Sequence, residues 1–170
     1  ARAFGPVGSV LKVMFERCLR WIRKGVLPVV VLEGKGGGRG LRAAGCPGST
    51  LGQTFAPQQQ VRALLTAMGI PVIDAEGEAE AACAALASSG KCDFVATSDS
   101  DALLFGAPRV LRRLDLRAEG GSRCELWDAR QIQRKTGLDR RALVAAAFLI
   151  GSDYDCKGRT LPPAEPLGPL

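Results

Sequence analysis

The chain has 170 residues, 46% hydrophobic and 24% charged, the size and balance of one globular domain able to bury a core of its own. No apolar run reaches 18 residues, which excludes a membrane-spanning helix, and the first 25 residues carry charges throughout rather than forming a secretory leader. The net charge of +6 points to polyanionic partners.

In chain order, Val10, Leu11, Met14, Phe15, Cys18, Leu19 and Ile22 recur at helical spacing, between a cap at Ser9 and a stop at Gly25. LPVVVLEG is short, apolar and rich in β-branched residues, which predicts a buried parallel strand ending at Glu33. GKGGGRGLRAAGCPGSTLGQTFA is too rich in glycine for regular structure and reads as a mobile, basic loop. A helix is predicted from Pro57 to Met68, with proline in its permitted first turn and Gly69 as its stop. IPVID is a second strand, GEAEAACAALASSG an alanine-rich helix ended by Gly90, DFVAT a third strand and RVLRRLDL a fourth. DARQIQRKTG and DRRALVAAAFLIG are helices behind the aspartate caps Asp128 and Asp139. This alternation predicts an α/β fold with a mainly parallel sheet. The Pro-rich end, GRTLPPAEPLGPL, reads as a disordered tail.

Cys18, Cys46, Cys83, Cys92, Cys124 and Cys156 are scattered without a C-x-x-C pair, and there is no histidine. The usual zinc sites are therefore excluded, and the cysteines fit a reduced, intracellular protein in which they pack as small hydrophobes.

Ligands in open α/β sheets bind beyond the carboxyl ends of the strands. Acidic residues fall at four such places: Glu33, Glu78 with Glu80, Asp99 with Asp101, and Asp153 in LIGSDY. Residues two apart face the same way in extended chain, so Asp99 and Asp101 can converge just past their strand. Glu78 and Glu80 would diverge by about 200° in a regular helix. They converge only if Glu78 lies ahead of the helix, or if the two flank a site wide enough for two ions. Gathered together, six carboxylates require a counter-cation, and an all-oxygen set suits Mg²⁺ or Mn²⁺, two ions about 3.5–4 Å apart. Setting those six acids aside leaves 11 against 23 Lys and Arg, a balance of +12 on the rest of the chain, as a binder of phosphate backbones needs. Each signal also has a plain structural reading: a charged first helical turn for GEAEA, an Asx turn for SDSD, a cap for Asp153, a solvated loop for GKGGGRGLR.

VLEGK, GIPVIDAEGEAEAACAAL, VATSDSDALLFGAPRVLR and LIGSDY, in that order, resemble the XPG/flap-endonuclease superfamily of structure-specific DNA nucleases across roughly residues 15–158. The resemblance implies a PIN-like nuclease core with helices on both faces of a central, mainly parallel sheet, cutting branched or flapped DNA with two Mg²⁺ ions for which Mn²⁺ can substitute. It implies metal-binding, catalytic roles for Glu33, Glu78, Glu80, Asp99, Asp101 and Asp153, and a nuclear location. Residues 1–56 would be the remainder of the family's N region with the glycine-rich loop, 57–158 its I region, and 159–170 the tail. Glu33 in VLEGK, the short segment before GEAEA and LFGAPRVLR look most like the Holliday-junction-resolving, GEN-type branch. The flap-endonuclease arch that threads a single strand has no room in this short, glycine-rich segment, which fits cleavage of unthreaded duplex junctions; Lys35, Arg39 and Arg42 of the loop are the expected DNA contacts. Dimerisation on a four-way junction is compatible with that branch. The family opens with a strand bearing a further metal-binding Asp, and after GSDY continues into a helix–hairpin–helix; neither pattern is present, and the chain reads as the middle of a nuclease with little or no activity alone. Two other readings are a non-catalytic DNA-binding remnant of the fold and a phosphatase with an aspartyl nucleophile in SDSD.

Overall fold

A computed structural model describes residues 6–34, 58–115 and 123–150. The glycine-rich loop with Lys35, Arg39 and Arg42, the segment with Asp153 and the Pro-rich tail lie outside the described residues.

Helix α1 spans Pro6–Arg23. It begins ahead of the expected cap at Ser9, because Pro6, with its φ already fixed, is accommodated in a first turn where no intrahelical donor is needed. Gly25 ends it with φ 76°, its amide donating to the Ile22 carbonyl at 2.9 Å. Strand β1, Val30–Leu32, pairs in parallel with β2, Val72–Asp74, Val30 opposite Val72 and Leu32 opposite Asp74. Helix α2, Gln58–Ala67, crosses between them and is closed by Gly69 at φ 70°. Cys18, Val61, Leu65 and Ile70 form the core of this half, with Val30, Leu32 and Val72 packed against it.

The second half contains α3 (Ala79–Ser88), β3 (Val95–Ala96), the single turn α4 (Asp101–Leu104), β4 (Arg109–Asp115), β5 (Arg123–Asp128), α5 (Ala129–Thr136) and α6 (Arg140–Ile150). Strands β3 and β4 are parallel; β4 and β5 form an antiparallel pair. Both aspartate caps form: Asp128 accepts from the amides of Arg130 and Gln131, and Asp139 from that of Ala142. Strand β5 has no counterpart among the elements expected from sequence. Its residues RCELWD carry no apolar run, and Cys124 and Leu126 are exposed, so pairing with β4 rather than burial makes it a strand.

The expected α/β class is present, with its parallel pairs divided between two sheets, β1–β2 and β3–β4–β5, rather than in one continuous sheet among the described residues. Helix α3 touches β1, β3 and α4, and so links the halves. Its small residues Ala84 and Ala87 pack with Val95, Ala102, Leu103, Ala107 and Val110 in a second core. Trp21 of α1 stacks on Phe94 just before β3, ring centroids 6.0 Å apart, a contact between the two halves. Among the described residues no helix is long and apolar enough to cross a membrane.

Candidate metal centre

The carboxyl end of β1 passes unusually close to the turn that follows β2. Ala75 donates its amide to the Leu32 carbonyl at 2.9 Å, and Gly34 donates to Gly77 at 3.1 Å. A Cβ at Gly34 would run into the Ala75 carbonyl oxygen and lie 2.8 Å from that of Glu76, so only glycine fits this crossing. The crossing sets Glu33 beside the start of α3. There its Oε2 accepts the Ala79 amide at 3.3 Å, while its carbonyl accepts Gln58 Nε2 at 3.3 Å.

Glu78 precedes the helix in extended conformation, φ −67° and ψ 130°, and its side chain does not cap the helix that it opens. Leaving the helical spiral frees it from the divergence that two residues in one turn would impose, the first of the two conditions for convergence with Glu80. Carboxylate oxygens of Glu33, Glu78 and Glu80 all lie within 4.8 Å of one another, on half-buried side chains. The helix N-terminus favours negative charge, and its first amide is given to Glu33. Three convergent carboxylates form an oxygen-only donor set, the chemistry of a hard divalent cation, so the residues present fit Mg²⁺ or Mn²⁺.

Asp99 and Asp101 stand outside that group of three, at the end of β3. They are not in extended chain: Ser100 between them has φ −77° and ψ −20°, and Asp101 is the first residue of α4. The Asp99 amide donates to Thr97 Oγ1 at 3.1 Å, and Asp99 Oδ1 accepts the Asp101 amide at 3.0 Å. An Asx-type turn therefore fixes the pair, not strand alternation. Both side chains are half-buried. Next to the glutamates, burial and then the charge of Glu80 push the Cys83 thiol up to about 11, with Cys92 and Glu33 adding to the effect. Cys83 is thus a protonated, apolar neighbour of the acids. Sequence reading missed Arg112 and Arg140, whose guanidiniums grip the Ser98 and Leu104 carbonyls on either side of the aspartates. Nothing in RVLRRLDL or DRRALV separates these arginines from solvated ones.

An α/β core with carboxylates gathered past parallel strand ends has the architecture of a PIN-like nuclease core. The XPG I-region family matches residues 69–153, half of the chain. Flap endonuclease GEN-like 1 of Arabidopsis thaliana is 44% identical over 95 residues, 56% of this chain and 16% of that protein. Human GEN1, solved in complex with Holliday junction DNA, superposes with a TM-score of 0.77 at 32% identity, covering 96% of this chain and 42% of that one. GEN1 in complex with product DNA, Mg²⁺ and Mn²⁺ ions gives a TM-score of 0.66 at 29% identity over 86% of this chain and 34% of that one. The chain belongs to the XPG/flap-endonuclease superfamily. It spans less than half the length of these relatives.

Proposed function

We propose that this chain is core sequence of a structure-specific DNA endonuclease that hydrolyses phosphodiesters at branched DNA, in the nucleus, in repair and recombination. The convergence of Glu33, Glu78 and Glu80 within 4.8 Å carries the reading, since a solvated helical turn would not draw in a third carboxylate from another strand. These three would hold one Mg²⁺ or Mn²⁺ and Asp99 with Asp101 a second, with Asp153 contributing to either. When bound, such ions neutralise the phosphodiester and stabilise the leaving oxygen. The chain's own residues orient the cluster: Gly34 permits the approach of Glu33, the start of α3 aims Glu78 and Glu80, and the Asp99–Asp101 turn aims the second pair. The excess of Lys and Arg elsewhere supplies attraction for the DNA backbone, with Lys35, Arg39 and Arg42 as proposed contacts. A four-way junction is the proposed substrate ahead of a 5′-flap, because the segment before α2 is short and glycine-rich and the solved GEN1 complex holds such a junction.

The test is cleavage of labelled four-way junction and 5′-flap DNA in Mg²⁺ by the full-length protein that contains this chain, beside its Asp101→Asn variant. We expect the variant to lose cutting by at least two orders of magnitude, as loss of a directly engaged catalytic group does, while junction binding in Ca²⁺ persists. Undiminished cleavage by the variant would sink the assignment. Junction binding without cleavage by the parent would favour a non-catalytic remnant, and turnover of a simple phosphate ester the aspartyl-nucleophile alternative.

A further inference from the structure

We infer that Arg112 is a positioning residue that holds the Asp99–Asp101 turn in place by its backbone, without touching substrate. The inference rests on the nuclease reading for its purpose, and on separate geometry for its substance.

Arg112 lies in β4 directly opposite Glu125 of β5, and Trp127 is two residues further along the same face. Its guanidinium carbon sits 4.2 Å from the centroid of the Trp127 ring. The indole is itself oriented, donating Nε1–H to Glu125 Oε1 at 2.7 Å. With its face laid on the tryptophan, the guanidinium turns its edge to the Ser98 carbonyl and donates from Nε at 3.2 Å and Nη2 at 2.7 Å. Ser98 is the residue before Asp99, in a turn whose internal hydrogen bonds run from the Asp99 amide to Thr97 and from the Asp101 amide to Asp99. At the far end of the same segment, Arg140 from α6 donates Nε to the Leu104 carbonyl at 2.7 Å, its side chain lying over Gly106. Two cations from different elements thus bracket the segment that carries both aspartates. Arg112 is the nearer to them, and its fork geometry is what the position uses: lysine keeps the charge but can neither stack as a plane nor give two donors to one oxygen. Groups behind a metal ligand set its orientation, and their loss commonly weakens metal binding by 10–100-fold.

The experiment compares the chain with its Arg112→Lys and Trp127→Leu variants. Mn²⁺ binding is read by the electron paramagnetic resonance signal of the free ion, and exchange of the Asp101 amide without metal is read by hydrogen–deuterium exchange. In the full-length protein, the same variants are assayed for junction binding in Ca²⁺ and for cleavage. We expect Arg112→Lys to weaken Mn²⁺ binding about tenfold and to speed Asp101 amide exchange, with junction affinity unchanged. Trp127→Leu, which leaves the arginine but removes its platform, should shift both readouts the same way by less. Parent-like Mn²⁺ affinity in Arg112→Lys would overturn the inference. So would loss of junction affinity with unchanged Mn²⁺ binding, which would make Arg112 a phosphate contact. Weakened Mn²⁺ binding in the variants of a protein that does not cut DNA would uphold the positioning role while refuting the nuclease reading.

Discussion

Glu80→Gln should make the metal-free chain more stable and at the same time reduce its stabilisation by metal to what an ion at Asp99 and Asp101 contributes. Glu80 has two carboxylate neighbours, Glu33 and Glu78, with oxygens within 4.8 Å. At that separation each like-charge pair costs about 0.9 kcal/mol even at the dielectric of bulk water, and several-fold more at lower values. Removing one charge relieves two such pairs, against a loss of about 0.3–1 kcal/mol for a carboxylate at a helix N-terminus. The net gain in EDTA is then about 1 kcal/mol, or 2–4 °C in melting temperature for a chain of this size. For the parent, Mn²⁺ at 100 times its dissociation constant adds about 2.7 kcal/mol, so its melt should rise by about 5–10 °C. The assay is thermal unfolding of parent and variant, each in EDTA and in millimolar Mn²⁺. A variant that melts lower than the parent in EDTA and gains as much from Mn²⁺ would refute the reasoning, because Glu80 would then be a structural carboxylate outside any ion site.

Three further outcomes follow from local geometry. Gly34→Ala should destabilise the fold by about 2 kcal/mol or more and reduce the Mn²⁺ shift, since the added methyl meets backbone that cannot swing aside; an unchanged melt would show that the crossing has slack. Asp128→Ala, which removes the acceptor for two amides at the start of α5, should lower stability by about 1 kcal/mol in denaturant titration and leave Mn²⁺ binding untouched. The Cys83 thiol, at about 11 when folded against an ordinary 9.0, is neutral in both states at pH 8. As pH rises from 9 to 11 the unfolded chain ionises first, so the stabilising effect of the neutral, half-buried thiol is lost across that window, on the order of 1 kcal/mol once its solvent exposure is allowed for. Urea titrations at pH 8, 9 and 10.5 should show this decline in the parent and less of it in Cys83→Ala.

How much of this was legible in the sequence depended on whether a feature is periodic or relational. Helices α2, α3, α5 and α6 and strands β1 to β4 announce themselves by apolar period, aspartate caps and glycine stops, and they fold where expected. Strand β5 does not, because RCELWD is half solvent-facing and becomes a strand only by pairing with β4. Strand ends marked where Glu33, Asp99 and Asp101 would fall. They could not mark that Glu33 meets Glu78 through a glycine crossing, or that an αR residue at Ser100 turns the aspartates by an Asx bond instead of strand alternation. The arginines that grip the Ser98 and Leu104 carbonyls come from 14 and 36 residues away, and sequence spacing holds no trace of such contacts.

Helix α3 explains why a group of acids is tolerated between two separate cores. Glu80, Cys83, Ala84 and Ala87 recur at three- and four-residue spacing, so the carboxylate occupies the same row of the helix as the alanines buried in the second core. Glu80 is therefore the N-terminal end of a core-facing stripe, a position where an apolar residue would stabilise the fold more. Methyl-sized side chains at Ala84 and Ala87 let the helix sit close to β3 and α4 on one side while its first turn reaches Glu33 past β1 on the other. Bulkier residues there would push α3 away from β3 and α4, and with it the first turn that carries Glu80. The alanine richness of GEAEAACAAL is thus a requirement of the carboxylate cluster as much as of helix formation. A fold selected for stability alone would have no reason to combine the two at one helix end.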